Sequence, residues 1–257
     1  MNTEQFKELA YTNRWLITNR WGDPERREDA LRTADRLVEL ATGQASEPVV
    51  QPEPAPTPLV PPFRGQFIPP AWKHPDHFPI VGVRFTSAEF ARYVQWVQEN
   101  EEYTWAPTGI TMHHTAWPDL SIRPDGFTTQ HMENIRSGYI NDNGWNRGPH
   151  IFTDQNGIWV FNPLSLRGIH AVSFNHTRYG IEMLGNFDGS DFDDPRGQAS
   201  RRNGQIAAAV LMKHAGISTG KLNFHRHDPE TDKNCPGRKV DFATFEEGVL
   251  AIEGSLL

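Results

Sequence analysis

Along this chain the spacing of apolar residues changes several times, and each change predicts a different element. In residues 1–43 two stretches carry apolar positions at helical spacing. Phe6, Leu9 and Leu16 mark the first, while Leu31, Ala34, Val38 and Ala41, with Leu37 beside them, line one face of the second. Asp23 and Pro24 suit the cap and first position of that second helix, and Gly43 stands where its C-terminal cap belongs. A small helical hairpin is expected. Some forty residues bury too little apolar surface to be comfortably stable alone, so the hairpin either docks on another surface or is a plain appendage.

Periodicity then stops. Residues 44–62 are expected to be a linker: seven of the seventeen residues in Ser46–Pro62 are proline, which favours an extended, semi-rigid spacer. Residues 63–257 form the main domain. Phe63–Phe78 is rich in proline and aromatic residues without a period, as an irregular arm would be. Ser87–Tyr103 reads as a helix opened by the pattern Ser87-Ala-Glu-Phe, with Phe90, Val94, Trp96 and Val97 on its core side. Gly109–His114 is expected to be the first buried strand. Thr128–Tyr139, with Met132, Ile135 and Arg136 spaced along it, reads as a helix that ends near Gly144. The run PHIFTDQNGIWVFNP predicts a β-hairpin turning at Asn156-Gly157. IHAVSFN and YGIEMLGNF read as two more strand ends, carrying His170 and Glu182. Ala199–Ala215 is a helix with Ile206, Ala209, Val210 and Met212 facing a core, Leu222–Phe224 is a strand that delivers His225, and Asp241–Ile252 closes the chain as a helix. Strands alternating with helices place the domain in the α/β class, with a mixed central β-sheet flanked by helices.

Composition narrows the partners. Hydrophobic residues make up 37% of the sequence, as in a soluble protein, and no apolar run approaches the ~20 residues of a membrane span. The first residues lack a basic patch followed by an apolar core, so no secretory signal is expected. A net charge of −7 with no run of Lys and Arg argues against nucleic acid as the main partner. One cysteine excludes an internal disulfide framework.

That cysteine, Cys235, is the most informative residue. It lies in FHRHDPETDKNCPG with His225, His227 and Lys233. Thiolate and imidazole are the groups zinc prefers, and a catalytic zinc needs only three protein ligands. This stretch supplies a thiolate and one imidazole, from either His225 or His227. The third ligand has to come from elsewhere, and His113 in the pair ending GITMHH is the obvious donor. Strand side chains alternate faces, so only one of His113 and His114 can serve. A lone cysteine is more commonly a small buried hydrophobe, and spacing alone does not decide between the two.

The motifs together do. HHTA at a strand end, GIEMLGNF after it, and HRxDP before CPG resemble, in that order, the zinc-dependent N-acetylmuramoyl-L-alanine amidases. This is the type 2 amidase family, which includes peptidoglycan recognition proteins and phage endolysins. The resemblance covers roughly Thr108–Val249. It implies that fold for the main domain, a Zn2+ cofactor held by His113, His225 and Cys235, and bacterial peptidoglycan as the partner. His227 then takes the variable position of HRxDP. Glu182 matches a glutamate that acts as general base, and Lys233 a cation that stabilises the oxyanion. His170 and Asn175, in IHAVSFN, resemble a substrate-lining HAxxxN stretch. His114 is expected to pack beside the metal or face substrate. One departure stands out: many phage relatives have a tyrosine in a GYHF motif where this chain has Pro149 in GPHIF, which moves the base role onto Glu182. The acidic run Asp188–Asp194 lacks an EF-hand pattern and reads as a solvated loop.

Two functions from different classes follow. One is a hydrolase that cuts between N-acetylmuramic acid and L-alanine, as a phage endolysin or a virion-associated lysin would. Made in a host cytoplasm without a signal peptide, it would act in the cell wall, with residues 1–43 as the wall-binding or docking module. The other is a peptidoglycan-binding protein of the same fold that no longer cuts. Non-catalytic members commonly lose the cysteine, and its retention favours the enzyme. A cysteine peptidase is disfavoured, because Cys235 precedes a Pro236-Gly237 turn and lacks the helix N-terminus that activates a thiolate.

Overall fold

The computed structural model describes residues 67–256; the expected hairpin at 1–43 and the linker at 44–62 lie outside them. Six strands make one sheet: β1 (Val83–Phe85), β2 (Gly109–His114), β3 (Ile151–Asp154), β4 (Gly157–Val160), β5 (Arg178–Met183) and β6 (Leu222–Phe224). Their order is β1-β4-β3-β5-β2-β6. The pairs β1–β4 and β3–β4 are antiparallel, while β3–β5, β2–β5 and β2–β6 are parallel. The sheet is therefore mixed, as the alternating pattern predicts. Four α-helices flank it: α1 (Ser87–Asn100), α2 (Thr129–Asn143), α3 (Pro195–His214) and α4 (Phe242–Ser255).

Two apolar layers follow from strand alternation. Ile110 and Met112 of β2, Tyr179, Ile181 and Met183 of β5, and Ile151, Ile158 and Val160 of the β3–β4 hairpin share one core with residues of α1, α3 and α4. Phe152 and Trp159 project the other way, into a second core with Phe78, Phe127, Phe161 and Met132 of α2. Thr111, His113, Gly180 and Glu182 are the intervening positions of β2 and β5, so they belong to the α2 side. Parallel strands β2, β5 and β6 all end at the same edge. Crevices at the carboxyl ends of such strands are where open α/β sheets bind ligands.

Caps explain most helix boundaries. Thr86, one residue before the expected opening, caps α1: its hydroxyl accepts from the Glu89 amide, and the Glu89 carboxylate accepts from the Thr86 amide at 2.8 Å. Thr128 caps α2, and Gly144 ends it in the left-handed conformation at φ 67°. Helix α3 starts four residues earlier than expected because Asp194 caps it and Pro195 occupies its first turn.

Two expectations need correction, whereas Gly109–His114, preceded by the short and partly buried β1, is the first strand buried along its whole length. Ile169–Asn175 is not a strand end. It is a loop of tight turns in which the Phe174 and Asn175 amides both bond the Ala171 carbonyl. The acidic run is not simply solvated either. Asp191 accepts from the Leu120 and Asn186 amides, and the run contains a short 3-10 turn, Ser190–Phe192. The expected arm is anchored where it enters the domain: Phe78 and Ile80 are fully buried, and Lys73 and Ile80 form a lone antiparallel bridge.

Candidate metal centre and active site

His113 is the fifth residue of β2, paired in register with Glu182 of β5. Adjacent positions on parallel strands point to the same face, and here His113 Nδ1 and a Glu182 carboxylate oxygen lie 3.8 Å apart. β6 delivers His225 at the start of a 3-10 turn, His225–His227. Cys235 reaches the same point from the following loop. Arg226 holds that loop: its amide donates to the Cys235 carbonyl, and its guanidinium donates to the Gly237 and Val240 carbonyls at 2.9 and 2.7 Å.

The three donor atoms converge. His113 Nδ1 lies 3.1 Å from His225 Nδ1 and 3.7 Å from Cys235 Sγ, and all three ligand atoms fall within 4.8 Å of one another. A tetrahedral zinc with ordinary Zn–N and Zn–S bonds would set such edges at about 3.3–3.6 Å. Chemistry agrees with spacing. Burial holds His113 well below the usual histidine range, helped by His170 and His225, so its ring stays neutral with a lone pair to offer. Burial and the Glu182 carboxylate push the Cys235 thiol up; a thiolate here needs a cation beside it. The His114 amide already donates to Cys235 Sγ at 3.3 Å. These residues fit a zinc ion.

His227 is elsewhere. Its ring stacks on Phe224 at 5.7 Å, packs edge-on against Phe242, and its Nδ1 accepts from the Phe224 amide. His114, on the opposite face of β2, accepts from the Phe187 amide through Nδ1 and still contributes to the cavity wall.

The cluster opens into a cavity of about 670 Å3. Glu182, Lys233, His170 and His114 line it together with the three ligand candidates. Asn175 is not among the lining residues. Its side-chain oxygen accepts from the His170 and Ala171 amides at 2.7 and 2.9 Å, so it shapes the loop that carries His170. Burial raises the Glu182 carboxyl to about 8, and the nearby Lys233 ammonium works against that rise. A carboxyl near 8 beside a metal-ligand cluster can both take and return a proton close to neutral pH. Lys233 itself is exposed at the rim. Pro149 lines the wall, and its ring offers no hydroxyl there.

Sequence reasoning missed the aromatic walls. Trp117 (40% exposed) and Trp145 (37% exposed) are two of the few exposed large apolar side chains among the described residues, and both border this cavity. Tyr139 of α2 packs against Trp145 with ring centroids 5.4 Å apart. The available signal was tryptophan in polar loops, Ala116-Trp117-Pro118 and Gly144-Trp145-Asn146, where no core requires it.

The chain is similar to one known family and to several solved structures. Residues 103–238, more than half of the chain, match the family model described as N-acetylmuramoyl-L-alanine amidase. Among solved structures, the catalytic domain of XlyA is 25% identical, with 58% of this chain and 90% of that chain covered and a TM-score of 0.42. The endolysin N-acetylmuramoyl-L-alanine amidase LysCS from Clostridium intestinale URNW is 22% identical, covering 58% and 87% at a TM-score of 0.45. Drosophila PGRP-LB is 21% identical, covering 56% and 82% at 0.43. Comparison with curated protein sequences returned no match.

Proposed function

This chain belongs to the N-acetylmuramoyl-L-alanine amidase family, and on that premise we propose that it hydrolyses the amide between N-acetylmuramic acid and L-alanine of peptidoglycan with zinc as cofactor. The observation that carries the reading is the convergence of His113, His225 and Cys235 within 4.8 Å beside the largely buried carboxyl of Glu182.

His113, His225 and Cys235 would hold the ion. Zinc bound there supplies Lewis acidity toward a carbonyl and brings the acidity of water close to neutral pH. The chain's own groups do the rest. Glu182 removes a proton from the attacking water and, once protonated, returns it to the departing amine of L-alanine. The new C–O bond forms first, and the scissile C–N bond then breaks as the amine takes the proton, leaving a carboxylate on the lactyl group of the sugar and a free amino group on the peptide. Lys233 donates to the carbonyl oxygen as negative charge gathers on it, an interaction made mainly in the transition state.

For the chain as a whole we propose a lysin of the bacterial cell wall, either a phage endolysin or a virion-associated enzyme. The support is the sequence layout: a Pro-rich spacer at 44–62 between a small apolar-faced segment, 1–43, and the catalytic domain from 63 onward. The first segment would dock to wall or virion. Incubating the zinc-loaded protein with purified peptidoglycan tests the chemistry. New amino termini without new reducing ends are expected; new reducing ends would indicate a glycosidase, and tight binding with no product would indicate a recognition protein.

A further inference from the structure

We infer that His170 is a positioning residue of the metal centre: through one hydrogen bond it fixes which nitrogen of His113 is bare and where it points. The inference rests on the reading of His113 as a metal ligand and goes beyond it. His170 sits in the turn-rich loop before β5, and its two ring nitrogens face two different partners. Nε2 lies 2.9 Å from the backbone carbonyl oxygen of Arg178. A carbonyl can only accept, so this nitrogen carries the hydrogen. In a neutral ring the other nitrogen, Nδ1, then holds a lone pair. That Nδ1 lies 3.0 Å from His113 Nε2, so His113 must donate through Nε2. His113 Nδ1 is thereby left bare, and Nδ1 is the atom that meets His225 Nδ1 at 3.1 Å and Cys235 Sγ at 3.7 Å. An ordinary backbone carbonyl sets the tautomer of a ligand two residues of hydrogen bonding away.

The loop is built to hold this ring. Asn175 fixes the backbone of His170 and Ala171 with two hydrogen bonds. Gly180 of β5 lies under the ring: a Cβ there would come within 2.5 Å of His170 Cγ, so no larger residue fits without moving it. The rings of His113 and His170 meet edge to face at 85° with centroids 5.1 Å apart. A ring with both nitrogens engaged has no polar atom left for substrate, which separates this role from the substrate-lining one that the sequence suggests. Partners of this kind raise ligand basicity and lock ring orientation, and their loss typically costs 10–100-fold in metal affinity.

The test is zinc affinity, by competition with a chromophoric chelator, in the full chain and in His170→Phe and His170→Asn. Phenylalanine keeps the ring and removes the acceptor; asparagine keeps an acceptor near the position of Nδ1. His170→Phe should bind zinc 10–100-fold more weakly, with His170→Asn recovering much of the loss. Unchanged affinity in His170→Phe beside a zinc-binding parent would overturn the positioning role and leave the metal site standing. A parent that binds no zinc would remove both. Should His170→Phe fail to fold, the metal-free parent labelled with nitrogen-15 at histidine decides. A nitrogen–nitrogen coupling across the bond from His113 Nε2 to His170 Nδ1 is expected; its absence, with His113 protonated at Nδ1, refutes the inference.

Discussion

Glu182 and His113 are register partners on neighbouring parallel strands, and their side chains stand 3.8 Å apart on the face that bears the cavity. One strand pairing thus places the proposed base beside a proposed metal ligand without any loop having to bring them together. A register slip of one residue in β5 would turn Glu182 into the opposite core, so fold and chemistry share this contact.

The pairing makes Glu182→Gln the most informative substitution within the site. The variant should fold and keep zinc, yet lose about 10²-fold or more in kcat, the range of a lost general base. In the parent, activity should rise with pH as the Glu182 carboxyl, raised by burial, ionises. Lys233 lowers that pKa, so Lys233→Met should move the rising limb to higher pH while also reducing kcat. Zinc-loaded Glu182→Gln with near-parental turnover would place the base elsewhere.

Zinc content separates the histidines. One ion per chain is expected, with His113→Ala, His225→Ala and Cys235→Ala each losing it, while His227→Ala, whose ring packs on Phe224 and Phe242, keeps it. Because these ligands bind deprotonated, occupancy should fall below about pH 6. Elemental analysis of the four variants checks this, and full zinc in His225→Ala with none in His227→Ala would reverse the assignment.

Acid stability should report the buried histidines, with His150, fully buried, the clearest case. Burial, with His170 adding to it, lowers this histidine to about 3, against the bond to the Leu166 carbonyl. Between its folded and unfolded pKa the unfolded chain binds the extra proton, so stability is full above about pH 6.5 and drains as pH falls. From pH 8 to 5 this group alone loses about 2 kcal/mol, and His114 and His170, lowered by burial to about 4, act in the same direction. Glu182 acts in the opposite direction: its raised carboxyl stabilises the fold at low pH and loses that contribution as pH rises toward 8. Denaturant unfolding of metal-free Glu182→Gln removes the opposing group and should show the full decline. A flat profile would contradict the assigned burial.

Removing the first 62 residues tests the modular layout. A chain starting at Phe63 should fold, keep zinc and cut soluble muropeptides at a near-parental rate, with reduced activity on intact walls. Failure to fold would make residues 1–43 part of the catalytic core.

Much of the candidate site was legible in the sequence. Cys235, His113 and Glu182 stand in the motifs CPG, HHTA and GIEMLGNF that carry the family resemblance, and two of them lie on strands whose alternation fixes their direction. The helices were legible too, through caps such as Thr128 and Gly144. What could not be read was whatever depends on contacts distant in sequence. The loop at 169–175 looked like a strand because Ile169, Val172 and Phe174 suit one, yet the Asn175 amide and the Ala171 carbonyl fold it into turns. Asp191 looked solvated because nothing local shows that the amides of Leu120 and Asn186 will reach it. Trp117 and Trp145 became cavity walls only once α2 and the loop after β2 came together.

The proposed reaction is defined by the bond that is cut and the water that cuts it. The most direct measurement is mass spectrometry of a defined muropeptide digested by the zinc-loaded chain in water labelled with the heavy oxygen isotope. Free muramic acid sugar with label in its lactyl carboxylate is expected, together with a stem peptide bearing an unlabelled free L-alanine amino group. Label at a sugar reducing end or in a peptide carboxylate, or an intact muropeptide, would contradict it.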